Sequence, residues 1–157
     1  MLFRRASHGK TIAAAQAALK RADAKTAADL IRDEINCCKV TDPKFWLVAH
    51  QIFLAAGEVK QSQQVLEAAR ENGVQEAEYL RARASLFDKL HHWRNAFDSW
   101  EKLNERENGS ANTAARMVQS TLHFDLSQTE ALLERYADLK YRNFGIFRCH
   151  IRLADAL

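Results

Sequence analysis

Gly9-Lys10-Thr11 has the residue types of the tail of a phosphate-binding loop, where backbone N–H groups and a lysine hold phosphate oxygens and a hydroxyl holds magnesium. Such a loop needs another glycine five residues before Gly9, and Arg4 stands there. An ordinary helix start is therefore expected at this point. His91 and His92 are adjacent in an expected turn, without the i, i+4 spacing that turns two imidazoles toward one ion. Cys37-Cys38 and Cys149-His150 lack chelating spacing too. The adjacent thiols are poorly placed to pair with each other, Cys149 is remote in sequence, and three cysteines of this kind suit a reducing compartment. Asp33-Glu34 and the Glu105/Glu107 pair lie in polar stretches and are expected to face water. There is no Gly-x-Ser-x-Gly elbow and no His-Glu-x-x-His pair. No catalytic constellation follows, and neither a metal nor a cofactor is expected.

The elements that would carry these residues are helical. One proline and five glycines in 157 residues, with a hydrophobic fraction of 47%, favour helix nearly throughout. Sustained period-two alternation is missing, and no Asn-Gly or Asp-Gly pair stands between two alternating runs as a hairpin turn would. The first helix is expected from about Lys10 to Arg21 with Ile12, Ala15 and Leu19 on one face, and the second from near Lys25 with Ala27, Leu30, Ile31 and Ile35. Asn36 to Asp42 is the longest expected loop, and Pro43 suits the first turn of the helix carrying Trp46, Ala49, Ile52 and Phe53. Ser62, Val65, Leu66 and Ala69 line the next helix, which Asn72-Gly73 ends. Tyr79, Leu80, Leu86, Phe87 and Leu90 then precede a helix built on Trp93, Ala96, Phe97, Trp100 and Leu103. After the break at Asn108-Gly109-Ser110 come Ala114, Met117, Val118, Thr121 and Leu122, then Ala131, Leu132, Leu133 and Tyr136. A last helix runs from about Asn143.

A turn-and-small-residue pattern recurs along this string. It starts at Ala22, Gly57 and His91, which are 35 and then 34 residues apart. Each start is followed two positions on by an apolar residue (Ala24, Val59, Trp93) and five on by a small one (Ala27, Ser62, Ala96). A period of this size belongs to helical hairpins that bury their apolar stripes by stacking. With Trp46, Phe53, Gly57 and Ser62 in one unit and Leu80, Ala84, Phe87, Trp93, Ala96 and Trp100 in the next, the chain resembles the tetratricopeptide repeat. The resemblance implies an all-α, right-handed superhelix of about four antiparallel hairpins plus a C-terminal helix. It would form one domain over 1–157, with repeats near 8–42, 43–76, 77–110 and 111–144 and a terminal helix over 145–157. The fourth unit departs from the pattern. Its turn is due at Asp125, yet Ser127 and Glu130 stand in the apolar and small places, so a one-residue slip is expected.

In that family the first helices line a concave face. By register the inward residues are Gln16, Lys20, Lys44, Gln51, Arg81, Ser85, Lys89, Arg116, Gln119 and His123, with Glu78 and Asp88 the nearest acids. Five cations in one groove favour an anionic partner. The resemblance thus implies a non-catalytic scaffold that binds an acidic or C-terminal peptide. Arg81 and Arg116 match the cationic places of the family's carboxylate clamp, but Ser85 and Gln119 replace its asparagines, so chaperone binding is not transferred.

Two other classes stay open. One is an RNA-binding helical repeat, for which the basic, aromatic stretch Lys140 to Phe144 with Arg148 and Arg152 would matter. The other is an N-terminal assembly or regulatory domain of a larger enzyme. A net charge of +3 alone does not imply nucleic acid. No apolar run reaches the length of a membrane helix, and the cytoplasm is the expected location. The acid-poor start with Arg4, Arg5, Lys10, Lys20 and Arg21 also resembles a mitochondrial targeting segment. Ile151, Leu153, Ala154, Ala156 and Leu157 follow one another closely near the C-terminus, and three readings stay open: the last helix packs inward as a one-helix cap, a second copy covers it in a homodimer, or further chain follows.

Overall fold

The computed structural model describes the backbone over 3–139 and 144–156, with side chains over 8–138 and 145–155. Helices α1 (Phe3–Lys20), α2 (Ala24–Cys37), α3 (Pro43–Ala55), α4 (Val59–Glu71) and α5 (Glu76–Lys89) are followed by α6 (Trp93–Arg106), α7 (Ala111–Thr121), α8 (Leu126–Arg135) and α9 (Phe144–Ala156). A 3-10 turn, Ala137–Leu139, follows α8. No strand occurs among the described residues, and none of their helices is long and apolar enough to cross a membrane. The chain divides into two compact units, 1–79 and 80–157, the division falling inside α5.

The recurring turns share one geometry. Ala22, Gly57 and His91 are each left-handed, with φ of 62°, 78° and 58°. The N–H after each donates to the carbonyl five residues earlier: Asp23 to Ala18 at 3.0 Å, Glu58 to Phe53 at 2.8 Å and His92 to Phe87 at 3.0 Å. This bond satisfies a carbonyl that the preceding helix end would otherwise leave open. The next residue but three enters the hairpin contact: Ala27, Ser62 and Ala96 are all fully buried. The fourth turn lacks a left-handed residue; the Asp125 N–H instead donates to the Thr121 carbonyl at 2.8 Å. Asp125 caps α8 by accepting from the Gln128 N–H, which brings Thr129, not Glu130, to the fully buried small position. Thr129 Oγ1 there donates to Thr121 Oγ1 at 2.9 Å, and the expected one-residue slip is present.

In the first unit, the core consists of Ala15, Ala18, Ala27, Ala28, Ile31, Phe45, Ala49, Ile52 and Phe53 with Val40 and Val65. Small residues dominate α1 and α2, so their backbones approach closely. Helix α1 begins at Phe3, well before the expected Lys10, and Gly9-Lys10-Thr11 lies inside it instead of opening it. The buried stripe of α3 passes through Phe45, while Trp46 is half-buried and its indole N–H has no hydrogen-bond partner. Asp42 caps α3 by accepting from the Lys44 N–H at 3.0 Å, with Pro43 in the first turn as expected. His8 and Glu34, both over nine-tenths buried, face each other between α1 and α2 with Nδ1 and Oε1 2.5 Å apart. Thr11 Oγ1 donates to the other carboxylate oxygen at 2.9 Å, which removes Glu34 from the solvated face expected for it.

The second unit is built around α7, which packs against α6, α8 and α9. Leu80, Ala84, Leu86, Ala96, Phe97, Trp100, Leu103, Ala114, Met117 and Val118 are buried, joined by Leu132, Leu133, Ile146, Cys149 and Leu153. Burial pushes the Cys149 thiol up from its ordinary value. Ala131, expected in the stripe, is exposed. Trp93 also leaves the expected core: it is half-buried, tilted against His91 at 5.0 Å and stacked on His123 at 4.0 Å between ring centroids. On α9, Leu153 packs inward, whereas Phe147 and Ile151 are 39% and 48% exposed. Leu153 is therefore withdrawn from the outer face assigned to it, while Leu157 lies outside the described residues.

Candidate functional site

The second unit contains a cleft of about 690 Å³. Its walls come from the start of α5, the end of α6, the first three turns of α7 and the start of α9, which contribute Arg81, Glu107, Thr113, Arg116, Gln119 and Arg148. Ser110 and Asn112, at the entry to α7, together with Ala115, Gly145 and the buried Trp100 complete the wall. A smaller cavity shares Gln119 and Arg148 and adds Cys149 and Arg152. Arg81, Arg116, Arg148 and Arg152 are all exposed, so four guanidinium groups border this region with Glu107.

The positions follow from the packing. Arg116 and Gln119 are three residues apart on α7 and share a face, while Met117 and Val118 on the other side are buried. Arg148 is exposed on the side of α9 away from Ile146 and Leu153, which with Cys149 are buried and hold the helix against its neighbours. Glu107 follows α6 as its C-terminal cap residue. Its carboxylate pairs with the Arg81 guanidinium and accepts from Thr113 Oγ1 at 2.5 Å. Those bonds, Thr113 first and Arg81 after it, hold its pKa below the usual carboxylate value. Glu107 is thus half-buried and engaged, contrary to its expected place on a solvated face.

Beneath the cleft Asp88 accepts from Trp100 Nε1 at 3.0 Å and from Ser120 Oγ at 3.5 Å. Burial raises its pKa, and the Trp100 bond followed by the nearby charge of Arg116 works against that rise. The acid expected beside the groove is therefore a half-buried bracing group between α5, α6 and α7.

Of the ten residues assigned to a groove, Arg81, Arg116 and Gln119 line this cleft. Ser85 and Lys89 are exposed on α5 but are not among its lining residues. His123 is committed to the Trp93 stack. Gln16, Lys20, Lys44 and Gln51 are exposed on α1 and α3 of the first unit. Glu107, Ser110, Asn112 and Thr113 also line the cleft, although the sequence placed none of them in a groove. The Asn108-Gly109-Ser110 break marked a helix entry there, but only folding brings it beside Arg81. Lys140, Tyr141, Arg142 and Asn143, the heart of the basic stretch, lie outside the described residues.

The arrangement offers planar, permanently charged donors and neutral hydroxyl and amide donors around one opening, which suits carboxylate or phosphate oxygens. Comparison with protein-family models, with curated proteins and with solved structures gives no match.

Proposed function

We propose that this chain is a helical-repeat interaction domain of the tetratricopeptide kind, stacked as a right-handed superhelix, and that it docks an acidic peptide segment in the arginine-lined cleft of its second unit. The observation that carries the reading is the convergence of Arg81, Arg116 and Arg148 from three helices on one opening. Glu107 offsets one of these charges and leaves the cleft net positive. Overlapping positive fields draw an acidic segment in, and guanidinium forks fix its carboxylates. The family assignment draws on the shared turns at Ala22, Gly57 and His91 and the buried small residues that follow them. The function is display of a binding surface, with no catalytic step.

Fluorescence anisotropy with a labelled oligo-glutamate peptide tests the reading, with oligo-glutamine and a labelled RNA oligonucleotide as comparisons. The acidic peptide should bind in a salt-sensitive manner, and Arg116→Glu with Arg148→Glu should weaken it by roughly tenfold or more, as the loss of charge-assisted bonds implies. Equal binding of the glutamate and glutamine peptides, or equal binding by wild type and variant, overturns it. Stronger binding of RNA that Arg148→Glu and Arg152→Glu abolish assigns the cleft to nucleic acid. Self-association through α9 is part of the same proposal and now rests on Phe147 and Ile151. Light scattering that gives a monomer for the unsubstituted chain removes it.

A further inference from the structure

We infer that the C-terminal end of α2 is a binding site for one soft divalent cation of the zinc type, held by Glu34, Cys37 and Cys38. One ligand atom from each residue lies within 4.8 Å of the other two. The Cys37 and Cys38 sulfurs are 3.1 Å apart, so the fold brings together two thiols whose spacing in the sequence did not suggest chelation. Cys37 is the last residue of α2 and Cys38 its cap, so Glu34 stands three and four positions before them on the same turn. Cys37 is exposed and Cys38 half-buried, which leaves an approach from solvent.

The independent observation is the state of Glu34. A carboxylate only 7% exposed is oriented from another helix by His8 at 2.5 Å and Thr11 at 2.9 Å, one on each oxygen. A carboxylate oxygen has more than one lone pair, so a hydrogen-bonded carboxylate can also serve as a metal ligand. Carboxylates that ligate metals are themselves hydrogen-bonded by outer groups that fix their orientation. His8 is in turn held against the Phe45 ring, with centroids 5.6 Å apart.

The donor set chooses the ion. Two thiolates and one carboxylate favour zinc, cadmium or cobalt over magnesium or calcium, which prefer oxygen alone. Metal–sulfur and metal–oxygen bonds near 2.3 and 2.1 Å place tetrahedral ligands roughly 3.3–3.8 Å apart, a small adjustment for groups at a helix end. Solvent completes the fourth position. A Cys37–Cys38 disulfide is the poorer alternative: consecutive Cα atoms lie about 3.8 Å apart, less than the ~4.4–6.8 Å such a bridge normally spans. The site lies in the first unit and does not depend on the peptide reading.

Cobalt titration of the reduced 157-residue chain tests the inference, with zinc competition and native mass spectrometry for stoichiometry. One cobalt should bind per chain, giving a thiolate charge-transfer band that zinc abolishes and calcium leaves unchanged. Cys37→Ser and Cys38→Ser should remove the band, Cys149→Ser should keep it, and His8→Phe should weaken affinity by about tenfold, as loss of a group behind a ligand does. Circular dichroism of the two surface cysteine variants should match wild type. No cobalt band at a several-fold molar excess, or a band that survives Cys38→Ser, overturns the site. So does a chain that loses two hydrogens and both thiols on mild oxidation with glutathione disulfide in the presence of zinc.

Discussion

Trp93 and His123 lie face to face, with ring centroids 4.0 Å apart and planes only 13° from parallel. The imidazole comes from the turn after α7 and covers an indole from the start of α6. Its pKa is lowered, by burial first and then by the charges of Arg152 and His91, while Asp88 acts in the opposite direction. In the unfolded chain His123 takes up its proton near the ordinary imidazole value of 6.5; in the folded chain it does so only at lower pH. Proton uptake by the unfolded state alone lowers stability as pH falls through this window. The stacking contribution is therefore fully present above about pH 6.5 and lost as pH drops through the lowered folded value. Thermal melts between pH 7.5 and 5 should show Tm falling, with a smaller fall in His123→Phe. An identical pH dependence in the two proteins refutes this role for His123.

Ala22 and Gly57 occupy equivalent left-handed turns, with φ of 62° and 78°. A Cβ built on Gly57 meets nothing within 4 Å, so substitution there is felt through the backbone alone. Left-handed conformations cost an L-residue roughly 1 kcal/mol relative to glycine. Gly57→Ala should accordingly destabilise the chain by about 1 kcal/mol and Ala22→Gly should stabilise it by a similar or smaller amount, since glycine also loosens the unfolded chain. Urea midpoints for the two variants check this; shifts of the same sign would remove the equivalence of the turns.

These turns were legible in the sequence because their information is local. A small residue five positions after the turn is dictated by the closeness of two helices joined by that same turn, and Ala27, Ser62 and Ala96 are all fully buried. The slip in the fourth unit was also readable, through the misfit of Ser127 and Glu130. Trp93 was not. Its apolar character fits a core as well as an exposed stack, and His91 is close in sequence whereas His123 becomes its neighbour only on folding. Phe45 and Trp46 posed the same ambiguity one position apart. In the cleft, Arg81, Arg116 and Gln119 followed from the register, while Glu107 sits 26 residues from Arg81 and no short-range pattern links them. The buried Glu34 was hidden for a similar reason: beside Asp33 it reads as solvated until α1 brings His8 and Thr11 to it.

Trp100 and Trp93 should separate sharply under truncation. Trp100 is 6% exposed and its indole N–H holds Asp88, so Trp100→Ala opens a cavity and leaves a half-buried carboxylate short of a donor. Large aromatic truncations of this kind cost ~3–5 kcal/mol. The half-buried Trp93 should cost clearly less. Ala96→Glu places a charge at a fully buried helix contact and should match or exceed the Trp100 effect. Chemical denaturation of the three variants orders them; Trp93→Ala as damaging as Trp100→Ala would show that the stack, not the buried indole, anchors this hairpin.

Glu107 already does within the cleft what an incoming acidic residue is proposed to do. Its carboxylate lies on Arg81 and on the Thr113 hydroxyl at the first turn of α7. A peptide carboxylate seeking Arg81 must compete with it, whereas one seeking Arg116 or Arg148 need not displace Glu107. Glu107→Gln keeps the size of the side chain and an acceptor for Thr113, but removes the charge that neutralises Arg81. Binding of the oligo-glutamate peptide should then tighten by severalfold at low salt, with the gain shrinking as salt screens the exposed guanidinium. Stability should change little, because Arg81 is more than half exposed and the pair is of the surface kind. Combining Glu107→Gln with Arg81→Gln should cancel the gain, since the cation that Glu107 restrained is then absent. Anisotropy titrations of the single and double variants measure this coupling directly. If Glu107→Gln tightens binding equally with Arg81 present and absent, the gain comes from general repulsion and not from release of Arg81. If Glu107→Gln leaves the affinity unchanged at low salt, the acidic segment does not use Arg81, and the docking surface contracts to Arg116 and Arg148.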